Sequence, residues 1–142
     1  MSDNHIRGIS VTLSLLDEDL WEFDQWAKGQ EVRSVLYEVR NTLSEGQRQL
    51  IAEQVAKMRE ILRELRDTLG LEGFLHLVDK MVASSCAMQW ASLLELESSR
   101  LRRYGELPPG LAEYLDPKVS ILNEELGRIS RIVAPAARRR SE

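Results

Sequence analysis

Hydrophobic residues in the middle of the chain recur at alternating steps of four and three. The six residues of this first seam are Ile51, Val55, Met58, Leu62, Leu65 and Leu69. Such spacing places them on one side of a helix and turns that side toward a neighbouring helix. Ser44 and Gln47 have the spacing of a capping box, so we expect the helix to begin there. A glycine-containing break over residues 70–73 ends it, which predicts a long helical hairpin over residues 44–104.

A second seam with the same spacing lies near the C-terminus. Its five residues are Val119, Leu122, Leu126, Ile129 and Val133. Asp116 precedes this seam as a candidate N-cap, and Pro117 suits the first turn of a helix. The pattern therefore predicts a last helix over residues 117–134, which Pro135 ends.

The segment between the two seams, residues 74–96, is apolar on several sides. Asp79 and Lys80 lie within it, and charges of this kind are costly in a bilayer, so we expect no membrane span. We expect instead the central helix of a bundle, with Trp90 in its core. Small residues four apart form a track along which another backbone can approach closely: Ala83, Ala87 and Ala91.

The N-terminal part of the chain gives the only strand signal. Apolar and hydroxyl-bearing residues alternate over residues 9–15, which predicts a strand with one apolar face. A lone strand leaves its backbone groups unpaired, so it must pair with a second copy or lie on the bundle as an extended arm. Asp17 then caps a short helix that stops near Gly29. A second short helix is expected to carry Val32, Val35, Leu36, Val39 and Leu43 on one face.

These elements predict an all-α protein: an antiparallel helical bundle built on a long helical hairpin, with a short N-terminal β-strand or extended arm. The 142 residues suit one compact unit. Within it we expect an N-terminal part over 1–43, the bundle over 44–134, and a basic tail over 135–142. The tail carries Arg138, Arg139 and Arg140, which suit a solvated helix end or a contact with an anion.

Charge and cysteine content narrow the function classes. The net charge of −4 argues against a strongly basic surface that coats nucleic acid, although it permits a local positive patch. Cys86 is the single cysteine, so it forms no internal disulfide, and we expect it to pack as a small apolar group in a reducing compartment. The first residues lack a hydrophobic export signal, which favours a cytoplasmic location.

The sequence carries no constellation that dictates a chemistry. Glu72 and His76 share a four-residue spacing, but one such pair supplies too few ligands for a metal site. The break at residues 70–73 lacks the length and the ending of a phosphate-binding loop. We therefore expect no catalytic residue, no cofactor and no metal, and a protein that is not an enzyme.

Residues 9–43 resemble the ribbon-helix-helix family of DNA-binding proteins. The resemblance rests on the strand at 9–13, the helix from Asp17 to Ala27, the break at Gly29, and Arg33-Ser34 at the opening of the next helix. It implies a dimer whose two strands form an antiparallel ribbon in the major groove. The implied DNA contacts are Arg7, Ser10, Thr12, Ser14, Arg33 and Ser34.

Two functions follow as hypotheses. The first is a non-enzymatic helical module that forms a homodimer or binds a partner protein through helix packing, because the seams and the small-residue track favour contacts between helices. The alternative is a ribbon-helix-helix-like transcriptional regulator whose helical C-terminal part supports oligomerisation. The overall acidity favours protein contact over DNA contact.

Overall fold

Four long helices carry most of residues 1–135, which are the residues that the computed structural model describes. The chain divides into two units between Phe74 and Leu75. The first unit contains α1 (Asp3–Ala27), β1 (Val32–Arg33), β2 (Glu38–Val39) and α2 (Glu45–Leu69). The second contains α3 (Val78–Leu94), α4 (Ser98–Leu101), a 3-10 turn (Arg102–Tyr104) and α5 (Leu111–Ile132). The all-α class is confirmed, while the bundle expected over 44–134 is divided between the two units.

Residues 9–15 lie inside α1, so the strand expected there is wrong. A helical period also runs through this segment, at steps of three and four, over Ile6, Ile9, Leu13, Leu16 and Leu20. Leu20 is fully buried and the other four are half-buried, whereas Val11 and Leu15 are exposed. The helical stripe extends over residues 6–20, whereas the alternation extends only over residues 9–15, and the segment forms a helix. Asp17 consequently lies within α1, and Ser2 is the N-cap.

A β-hairpin replaces the second short helix expected after Gly29. Its antiparallel pairs are Val32 with Val39 and Arg33 with Glu38. The amide of Ser34 donates to the carbonyl of Tyr37, which closes a turn of two residues. Val32 and Val39 suit these paired positions because β-branched side chains pack well on a pleated surface.

Both ends of α2 agree with the sequence. Ser44 accepts a hydrogen bond from the amide of Gln47, and the Gln47 side chain accepts one from the amide of Ser44. This reciprocal pair is the predicted capping box. Gly70 ends the helix in the left-handed region at a φ of 68°, where glycine is favoured.

α1 and α2 pack on each other as an antiparallel pair. Gly29, just beyond α1, has a φ of 83° and lies so close to Arg48 that a side chain there would collide with the guanidinium. Asp24, more than a turn earlier in α1, is 3.8 Å from Arg59, further along α2. Positions earlier in α1 therefore lie beside positions later in α2, which means that the two helices run in opposite directions.

Asn41 ties the end of α1 to the segment that leads into α2. Its Nδ2 donates to the carbonyls of Trp26 at 2.7 Å and Gln30 at 3.2 Å. Its Oδ1 accepts from the amide of Leu43, and its own amide donates to the carboxylate of Glu31. One side chain therefore connects the carbonyls of Trp26 and Gln30, at the end of α1, to the amide of Leu43, just before α2.

α5 begins at Leu111, so the start predicted at Asp116 and Pro117 is wrong. Gly110 is its N-cap, at a φ of 83°. Asp116 instead accepts hydrogen bonds from the amide of Ser98 at 3.0 Å and from its hydroxyl at 2.8 Å. Pro117 lies inside α5, where its ring removes one backbone hydrogen bond. Asp116 thus caps α4 from a neighbouring helix.

The second unit is built on the packing of α3 against α5. The bond between Asp116 and Ser98 brings the beginning of α5 close to the end of α3, so these two helices are also antiparallel. Arg138, Arg139 and Arg140 of the expected basic tail lie outside the described residues.

Burial is sparse in both units. Within residues 1–135 each long helix has one buried side chain: Leu20 in α1, Val55 in α2, Cys86 in α3 and Val119 in α5. Cys86 is 7% exposed, so its expected burial is confirmed. None of the helices in this part of the chain combines the length and apolarity that crossing a membrane requires.

Replacing Asn41 with alanine should lower the free energy of unfolding by about 1–3 kcal/mol, because two carbonyls and one amide lose their partner. Urea unfolding followed by circular dichroism measures this change. Thr42→Ala, at the next and exposed position, is the matched control and should cost less than about 0.5 kcal/mol. Equal effects of the two substitutions would show that the Asn41 side chain does not stabilise the connection between the end of α1 and the segment that leads into α2.

Candidate association surfaces

The first predicted seam lies on the least exposed side of α2. Val55 is buried, and the other five residues are half-buried: Ile51, Met58, Leu62, Leu65 and Leu69. α1 is the helix that packs on α2 within this unit, whereas the sequence-based hairpin paired α2 with residues 74–104. Leu50 and Ile61 lie outside the seam and are 61% and 55% exposed.

The second predicted seam is divided between two sides of α5. Val119 is buried, and Leu126 and Val133 are half-buried. Leu122 and Ile129 are 52% and 44% exposed. Val119, Leu126 and Val133 lie toward the side that packs on α3, whereas Leu122 and Ile129 form part of an open apolar side of α5.

The residues that the family resemblance assigned to DNA contact are not brought together. Arg7, Ser10, Thr12 and Ser14 lie in the N-terminal half of α1. Arg33 and Ser34 lie in the β-hairpin, beyond the C-terminal end of that helix. About 20 Å of helix separates the two sets, given the rise of an α-helix. The hydroxyl of Ser14 donates to the carbonyl of Val11 and is therefore engaged within α1.

The turn of the β-hairpin carries an apolar tip. We define the hairpin tip as Val35, Leu36 and Tyr37, which are 93%, 94% and 61% exposed. Two-residue turns that favour Asn-Gly have positive φ at their central residues, and neither Val35 nor Leu36 has a positive φ. Arg33 and Arg40 flank the tip, and both lie within 4 Å of the Glu38 carboxylate. The tip thus presents apolar side chains to solvent, and Val35 and Leu36 contribute almost no packing to the first unit.

α3 has a second apolar side opposite its buried one. We define the α3 outer face as four residues at steps of three, four and three: Met81, Ser84, Met88 and Ala91. Cys86 lies two positions from Ser84 and from Met88, which corresponds to about 200° around the helix. All four residues of the outer face are exposed, Met81 at 54% and Met88 at 68%. Ala91 belongs to the small-residue track that the sequence indicated.

A groove of about 680 Å³ lies beside α5 in the second unit. Trp90 forms part of its wall and is 50% exposed, so the expected core position is wrong. Asn123 Oδ1 is buried there without a hydrogen-bond partner among the described residues. Charged residues of both signs line the groove: Glu97, Asp116, Glu124, Arg128 and Arg131. Such a lining favours neither an anion nor a cation.

The pair considered as metal ligands does not share a helix. Glu72 and His76 lie between α2 and α3, outside regular secondary structure, so their spacing no longer places them on one face. Among residues 1–135 no group of three or more histidine, cysteine, aspartate or glutamate side chains is arranged to hold a metal ion. The surfaces that stand out are therefore apolar: the hairpin tip, the open side of α5 and the α3 outer face.

Comparison of this chain with protein-family models, with curated proteins and with solved structures finds no match.

Replacing Val35 and Leu36 with Asn-Gly should change the free energy of unfolding by less than about 1 kcal/mol, because both side chains are exposed and no packing is lost. Thermal and urea unfolding measure this. Val39→Asn, at a half-buried position of β2, is the control and should destabilise the protein. A loss of more than about 1 kcal/mol in the Asn-Gly variant would mean that the tip is packed in solution.

Proposed function

We propose that this protein is a non-enzymatic helical module that works by association, with a second copy of itself as its first partner. The observation that carries the proposal is the sparse burial: each long helix has one buried side chain, while large apolar residues stay exposed on each of them. Helices in water owe most of their stability to tertiary packing of an apolar face. A second copy supplies that packing.

The size of each unit strengthens this argument. The units divide the chain near its middle, so each has about 70 residues, a size at which a single core stabilises a fold only weakly. Exposed apolar residues include Met88 on α3, Ile121 and Ile132 on α5, and Trp21 on α1. Burying one large apolar side chain contributes about 1.5–3 kcal/mol. Covering a few of them in an oligomer is therefore comparable to the stability of a small domain.

The surfaces also favour a protein partner over a small ligand. Apolar helix faces with few charges resemble the buried centre of a protein interface. Closed symmetric dimers are the commonest soluble oligomers, because one self-complementary patch is sufficient. We propose such a dimer as the basic state.

DNA binding, the alternative from the sequence, required residues 9–15 to form a strand. These residues belong to α1, and no arrangement of the described residues favours DNA binding over association. We therefore do not propose it.

Sedimentation velocity over about 1 to 100 µM tests the proposal, because this range covers dissociation constants that correspond to about 5.5 to 8.2 kcal/mol of binding free energy. We expect a species of twice 16.3 kDa to dominate at the upper concentrations and to diminish on dilution. The same runs at raised salt serve as the control, because an apolar interface is not weakened by screening. A monomer throughout the range would contradict the proposal.

A further inference from the structure

The α3 outer face belongs to a helix that is apolar on opposite sides. One side is occupied, because Cys86 is buried where α3 packs on α5. The other side is exposed along its length, from Met81 to Ala91. None of the described residues of the second unit packs on this apolar side. Packing another surface against it would remove apolar side chains from water and stabilise the helix.

The order of side-chain sizes along α3 points to a second copy of the same helix. From Met81 to Met88 the sequence reads Met-Val-Ala-Ser-Ser-Cys-Ala-Met. Met81 and Met88 lie at equal distances from a midpoint between Ser84 and Ser85. On the exposed side the two serines lie at that midpoint, a methionine lies about one helical turn away on each side, and Ala91 lies beyond Met88.

This distribution fits two helices that cross at an angle. Crossing helices are closest at the crossing point and diverge on both sides of it. Small residues at the crossing allow the backbones to approach, as in other close helix pairs. Longer, flexible methionine side chains fill the widening space on either side. The midpoint at Ser84 and Ser85 suits the crossing point.

Charge favours the same arrangement. A two-fold axis brings identical side chains close to each other, so charges near the axis would repel. From Met81 to Leu94, α3 contains no charged residue. The charged residues nearest to this stretch, Lys80 and Glu95, lie at its two ends, away from the midpoint.

We propose that the α3 helices of two copies pack antiparallel about a two-fold axis that passes between Ser84 and Ser85. In this contact Met81 of one copy lies beside the partner's Met88. The inference rests on the proposed self-association and specifies the surface that carries it. It uses the α3 outer face and leaves the hairpin tip and the open side of α5 free for other contacts.

Cross-linking at the axis is the first test. Cys86→Ala removes the native thiol, and Ser84→Cys then places one thiol per copy next to the proposed axis. Mild oxidation, or a short bis-maleimide, should link most of the protein into covalent dimers. The matched control is Ser120→Cys in the same Cys86→Ala background, an exposed serine on α5, which should give little covalent dimer.

Charge at the axis is the second test. Ser84→Glu brings two carboxylates together at the crossing point and should weaken dimerisation at least tenfold in sedimentation, while circular dichroism remains helical. Ser120→Glu, the matched control, should leave the dissociation constant unchanged. A dimer that neither cross-links through residue 84 nor responds to Ser84→Glu would overturn the α3 contact and leave self-association standing. A wild-type monomer at all concentrations would overturn both.

Discussion

A helix with one neighbour can remove only a narrow stripe of its surface from water. In each unit two long helices pack on each other, and one side chain per helix is buried. The remaining apolar residues keep substantial contact with solvent, as Met88 on α3 and Ile132 on α5 illustrate. Because burial is the main favourable contribution to folding, the uncovered sides are where a further contact adds most stability. The proposed association follows from this constraint.

The fold was predictable where several local signals agreed. For α2, the apolar period, the capping box at Ser44 and the terminal Gly70 all indicated the same helix. Residues 9–15 satisfied a strand period and a helical period together, and the helical stripe extended further. The hairpin at 32–39 and the bond between Asp116 and Ser98 depend on contacts between separate segments, which spacing along the chain does not reveal.

The candidate surfaces were predictable only in part. The spacing from Ile51 to Leu69 identified a side of α2, but not that α1 is the helix packed on α2 in its unit. Trp90 was expected in a core because the segment around it is apolar, yet apolarity on all sides does not determine which side is covered. The size symmetry around Ser84 and Ser85 is visible in the sequence. This symmetry supports a contact between two helices only because the α3 outer face is exposed, and that exposure is seen only in the structure.

The dependence of stability on protein concentration tests the central claim most directly. If folding is coupled to association, the free energy of urea unfolding at about 1 and 100 µM should differ by about 2.8 kcal/mol per dimer, since each tenfold change contributes about 1.4 kcal/mol. We predict a higher unfolding midpoint at the higher concentration. Identical midpoints at both concentrations would show that each chain is stable alone, and they would contradict the account.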